Sequence, residues 1–138
     1  MDDRPTPDPP LAGVRVALRL FRESDAPVIA ESCQDADISR FTMMTEEMTE
    51  DQARRWIRSG LEWWPRGVAG FAITVPPEDE CVGQIRVQFD VAANRAEAFY
   101  WLDRQVRGRG MAAEARNLVT DWAFEDHGIV RVQLVGST

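Results

Sequence analysis

The feature that most restricts this chain is a pair of strand-like runs held apart by a helix. Residues 95–103, "RAEAFYWLD", alternate as a strand does, and residues 129–135, "IVRVQLV", form a second apolar run. Between them, "MAAEARNLVTDWAFEDHG" places Ala112, Ala115, Leu118, Val119, Trp122 and Ala123 on one stripe of a helix, with Gly128 as its expected C-cap. Strands joined through a helix cannot make a hairpin, so these two should lie parallel in one sheet.

The rest of the chain extends that unit. "VRVALRLF" alternates, with Val14, Val16, Leu18 and Leu20 on one side of a half-buried strand. Ser24 or Asp25 should cap a short helix, "APVIAESC". Residues 36–48, "ADISRFTMMTEEM", read as irregular. Thr49 and Gln52 have the spacing of a capping box. The helix they open should bury Ala53, Trp56, Ile57 and Leu61 and end at Pro65 and Gly67. "AGFAITV" and "CVGQIRVQFD" are two strands split by "PPEDE", and "VAAN" turns into the strand at 95. The order β-α-α-β-β-β-α-β implies an α/β chain with a mixed, mostly antiparallel sheet.

At 138 residues the chain is long enough for one domain with a real core. Four prolines in the first ten residues suggest a disordered leader over 1–13 and a single domain over 14–138. No apolar run nears ~18 residues and the N-terminus lacks a signal pattern, so the expectation is a cytoplasmic protein without a membrane partner. Cys33 and Cys81 share no motif spacing and read as reduced thiols. A single histidine, His127, argues against a metal site. The net charge of −7 argues against nucleic acid.

Against that acidic background, Arg104, Arg107 and Arg109 surround Gly108 and Gly110 just before the long helix. A helix N-terminus has unpartnered N–H groups and a partial positive charge, and glycines let an anion approach the backbone. "QVRGRG" is therefore a candidate phosphate or diphosphate site. A P-loop would need Gly-Lys-Ser/Thr, which is absent. Gly108, Gly110 and Ala113 fit G-x-G-x-x-A, but polar "DRQVR" separates them from the strand, and no acidic residue closes the next strand as a dinucleotide site expects. A tight turn with solvated arginines is the remaining reading of the residues themselves.

Gln105-Val106-Arg107-Gly108-Arg109-Gly110 resembles the Q/R-x-x-G-x-G/A motif of the GNAT superfamily of N-acetyltransferases. With "YWLDRQVRGRGMAAEA" and "WAFEDHGIVRVQL" the resemblance is to the branch containing ribosomal-protein N-terminal acetyltransferases, and it spans roughly Val14 to Val135. It implies that the N–H groups of Gln105, Val106, Arg107, Gly108, Arg109, Gly110, Met111 and Ala112 hold the pyrophosphate of acetyl-CoA. It also implies that the backbone of Tyr100, Trp101, Leu102 and Asp103 pairs with the pantetheine arm where the parallel strands splay. The acceptor would be a primary amine, on a small molecule, a peptide or a protein N-terminus. Because an ammonium has no lone pair, a base is needed, and Glu97 on the preceding strand is the candidate. Asp90 and Asp103 are weaker ones. Phe41, Trp56, Trp63 and Trp64 are candidates for an acceptor wall or for core, and Met43, Met44 and Met48 for a loop or packing.

The family continues beyond the strand that ends this chain, with an Asn-containing loop, a helix and two strands that often supply a tyrosine acid. Tyr100, the one tyrosine here, is on the wrong strand for that role. The expectations are then a shortened product, a short form completed by a homodimer through the final strand, or a CoA-binding, self-associating module without efficient transfer.

Overall fold

The computed structural model describes residues 11–33, 48–62, 68–90, 92, 94–103, 108–127 and 131–136. Among these residues six strands form one sheet in chain order: β1 (Leu11–Ala12), β2 (Ala17–Arg19), β3 (Val68–Thr74), β4 (Cys81–Asp90), β5 (Arg95–Leu102) and β6 (Arg131–Gly136). All neighbours pair antiparallel except β5 and β6, which are parallel. The helices are α1 (Ala26–Ser32), after a 3-10 turn at Glu23–Asp25, α2 (Glu50–Glu62) and α3 (Met111–His127).

The α3 stripe packs as its spacing dictates. Ala115, Val119, Trp122 and Ala123 are buried against Leu18, Phe71, Ile73, Ile85, Val87, Ala96 and Ala98 from one face of the sheet. Phe71 and Trp122 meet edge-on with centroids 5.2 Å apart. Leu18 points to this core, so its neighbour Arg19 points to the opposite face. There it reaches Asp25 at the entrance to α1, with Nη1 and Nη2 each donating at 2.8 Å. This pair sets α1 on the face away from α3. A second cluster, Ala26, Ile29, Cys33, Ala53 and Ile57 with Phe21 and Trp56 beside it, joins α1 to α2, and α2 also packs on β3.

The capping box forms: Thr49 N–H donates to Gln52 Oε1 at 2.9 Å, and Gln52 N–H to Thr49 Oγ1 at 3.1 Å. Asp25 does precede α1, but its carboxylate takes Arg22 N–H (2.8 Å) and Arg19 rather than a helix N–H. Cys33 and Cys81 are buried thiols, not a disulfide.

Two expectations are corrected. "VRVALRLF" is not one strand: β1 begins at Leu11, inside the stretch read as leader, and residues 13–16 bend between β1 and β2. Val14 sits in that bend and is 94% exposed instead of buried. The parallel pair also keeps its register from Arg95↔Arg131 to Tyr100↔Gly136. Of the segment expected to splay, Tyr100 is therefore paired, and β5 continues past the last pair at Trp101–Leu102.

Candidate acetyl-CoA site

The site is built at the carboxyl end of β5 and the start of α3. Asp103 N–H bonds to Val82 O (2.8 Å), which holds the end of β5 against β4. Gly108 and Gly110 then adopt φ of +78° and +76°, the left-handed region where only glycine turns without strain. Glu114 N–H closes the first helical turn on Gly110 O at 3.2 Å. The N–H groups of Met111, Ala112 and Ala113 precede that bond, at the positive end of a 17-residue helix.

Among the described residues nothing lies within 4 Å of where a Cβ on Gly108 would stand. The backbone is open to a ligand there, so the glycine is required by its dihedral and not by crowding. At Gly110 the neighbour is a charge: Arg15 Nη1 lies 3.0 Å from the corresponding Cβ position. Arg15 comes from the β1–β2 bend, which Glu114 ties down. The Glu114 carboxylate accepts Arg15 N–H at 2.9 and 3.0 Å through its two oxygens, and also accepts Val14 N–H. Arg15 was not legible as a site residue, since its strand-like surroundings lie 95 positions from Gly110 and carry no local signal.

The other sequence candidates divide. Gly108, Arg109 and Gly110 are exposed at the helix entrance and Ala112 is half-buried, whereas the Met111 side chain is in the core, leaving only its backbone for a ligand. Gln105, Val106 and Arg107 lie outside the described residues, as do Arg104, Phe41, Met43, Met44, Trp63 and Trp64. Tyr100 and Leu102 pack towards α3. Trp101 points the other way, buried, with its indole Nε1 donating to Gln84 Oε1 at 3.0 Å. Glu97, two alternations before Trp101, shares that second face and is half-buried, opposite Gln88 on β4. Trp56 stacks edge-on with Phe21 (5.3 Å) and is part of the α1–α2 core, as is Met48. No helix among the described residues is long and apolar enough to cross a membrane, and no group of three or more metal-ligating side chains occurs among them.

The chain can be placed in a known family. The family model for the acetyltransferase (GNAT) domain matches residues 15–136, and the chain belongs to that family. An uncharacterized N-acetyltransferase, p20, from Bacillus licheniformis is 29% identical over 121 residues, covering 86% of this chain and 68% of that protein. Among solved structures, a GNAT-family acetyltransferase from Bacillus anthracis superposes with a TM-score of 0.71 at 18% identity, covering 87% of this chain and 69% of that one. RimL, a ribosomal alpha-N-protein acetyltransferase in complex with coenzyme A, gives 0.72 at 16% identity, covering 87% and 70%. Acetyl-CoA as co-substrate fits the family. It also fits the residues present: an open, left-handed glycine pair, a helix entrance and the Arg15 guanidinium together suit a diphosphate.

Proposed function

We propose that this chain transfers an acetyl group from acetyl-CoA to a primary amine. The observation that carries the reading is the entrance to α3, where two left-handed glycines and Arg15 present N–H donors and positive charge to one open spot. In this reading the pyrophosphate is held by the backbone of Gly108–Ala112 with Arg15 and Arg109 at the rim. The motif adds Gln105, Val106 and Arg107 to the pyrophosphate donors of this reading. The pantetheine arm runs along the backbone of Trp101–Asp103, just past the last pair between β5 and β6. Acetyl-CoA supplies a thioester whose carbonyl carbon is open to attack by an amine.

The chain's own residues must deliver that amine uncharged. An α-amino group titrates near ~8, so at pH 7 roughly nine molecules in ten are ammonium. Glu97 faces the side of the sheet away from α3, four residues before Trp101, and takes the proton at its carboxylate. The acceptor reaches Glu97 across the half-buried face between α2 and β6. RimL acts on a ribosomal protein's α-amino group, which supports a peptide or protein N-terminus as acceptor here. The outer strand β6 is the surface through which two copies would pair.

The test is release of thiol from acetyl-CoA in the presence of simple amines and short peptides, followed across pH for the natural chain and Glu97→Gln. The variant should be slowest relative to the natural chain below pH ~8, and the two should converge near pH ~9, where the α-amine deprotonates without help. An equal ratio at every pH would remove Glu97 as the base. Binding of acetyl-CoA without transfer to any amine would favour a CoA-binding module instead.

A further inference from the structure

We propose that Arg86 makes the acceptor site selective for amines that carry a carboxylate about one residue from the amino group, as in a peptide with an acidic second residue. The inference rests on the acetyltransferase reading and deepens it.

Arg86 lies near the middle of β4, on the sheet face away from α3, between Gly70 on β3 and Phe99 on β5. Its side chain is half-buried, and burial lowers the guanidinium's pKa. A cation in such a place ordinarily has an anion beside it. Among the described residues Arg86 makes no ion pair or hydrogen bond: its guanidinium lies over the Phe99 ring, 5.4 Å from Cζ to centroid, and the nearest carboxylate on its face is the diagonal neighbour Glu97. Arg19, which is buried, has two carboxylates and two carbonyls around it.

A second donor stands beside the first. Gln84, two residues earlier on the same face, accepts the Trp101 indole N–H at its Oε1 and so turns its amide nitrogen towards β3. That nitrogen is 3.5 Å from where a Cβ on Gly70 would be. Gly70 itself offers no side chain, so the guanidinium and the amide flank a bare stretch of strand. Among the described residues the result is a notch with two donors beside the Glu97 carboxylate, a pairing that suits a planar anion next to an amine.

The position relative to Glu97 sets the kind of ligand. Glu97 pairs with Gln88 and Arg86 with Phe99, so the two charged side chains are diagonal neighbours on one face, with Cβ atoms roughly 7–8 Å apart. An amine delivered to Glu97 therefore leaves the notch within reach of the next residue's side chain. The net charge of −7 repels anions at long range, which makes a local cation necessary for such a substrate.

The experiment compares two acceptors, seryl-aspartyl-alanine amide and seryl-asparaginyl-alanine amide, by kcat/KM with acetyl-CoA. The acidic peptide should be favoured by about tenfold or more, as a charge-assisted hydrogen bond implies. Arg86→Gln should bring the ratio near one by slowing the acidic peptide alone, and Arg86→Lys should keep part of the preference. The N-acetylated forms of both peptides are also titrated against the chain with CoA present, which reads the notch without turnover. Equal rates in the natural chain, or a preference that survives in Arg86→Gln, would overturn the inference and leave acetyl transfer standing. Equal binding of the two acetylated peptides would overturn it whatever the turnover. Arg86-dependent binding of the acidic form without transfer to any amine would support the notch and overturn the transfer reading instead.

Discussion

Replacing Gly108 with alanine separates the two roles of the loop. The residue has φ +78° and open space around its Cβ position, so alanine meets no clash and the cost is conformational. A left-handed alanine costs about 1–2 kcal/mol. Alanine also restricts the unfolded chain, which returns about 0.4–1 kcal/mol. The net loss of stability without ligand should be about 1 kcal/mol, a fall in melting temperature of roughly 4 °C in a domain of this size. Asparagine tolerates the left-handed region better than alanine, so Gly108→Asn should melt between the two. Affinity should rank the two variants the other way round, both below the natural chain. The larger asparagine side chain projects into the space a pyrophosphate would use, so acetyl-CoA binding should fall more in Gly108→Asn than in Gly108→Ala. Calorimetry on the apo chains and titration with acetyl-CoA give both rankings. Equal melting of all three proteins would refute the dihedral argument, and equal affinity would refute the placement of the ligand.

Three further outcomes follow from the packing. Asp25→Ala removes the bidentate partner of Arg19, whose side chain is 6% exposed. Breaking a buried pair costs about 3–5 kcal/mol, and the remaining contacts to Asp79 and Leu20 O put this one at the lower end. Urea unfolding should show a loss of about 3 kcal/mol, and a loss near zero would contradict the role of the pair in seating α1. Gly83→Ala would place Cβ 2.3 Å from Trp101 O and 2.9 Å from Leu102 Cδ2. It should cost about 1–3 kcal/mol by overpacking and weaken acetyl-CoA binding by shifting the end of β5; unchanged affinity would detach that strand end from the site. Finally, burial pushes the Cys33 thiol up to about 11 and the Cys81 thiol up to about 12. Thiolate is the nucleophile, and it is scarce well below those values, so both residues should resist alkylation at pH 8 in the folded chain and react promptly in urea. Rapid labelling of the native chain would contradict their burial.

Much of the fold was legible because it rests on local periodicity. The α3 stripe, the Thr49–Gln52 box and the parallel β5–β6 pair each follow from spacing or from connection length. The β1–β2 bend was not legible, because "VRVALRLF" alternates as a strand would. What breaks the alternation is Glu114, about a hundred positions away, which holds the Val14 and Arg15 N–H groups and leaves Val14 outside. The site divides in the same way. Gly108 and Gly110 announce themselves by composition, since few residues can turn with positive φ. Arg15 joins them only through the tertiary tether. Arg86 reads in the sequence as the polar half of an alternating strand. Its significance lies in what stands around it among the described residues, Gly70 on β3 and Phe99 and Glu97 on β5.

The most direct test of the account is the melting temperature of the chain with and without acetyl-CoA, beside NAD as the competing nucleotide. A ligand at about 100 times its dissociation constant stabilises the fold by about 2.7 kcal/mol, a shift on the order of ten degrees here. The account predicts that rise with acetyl-CoA and none with NAD. A cooperative melt that acetyl-CoA leaves unmoved, or that NAD raises instead, would contradict it.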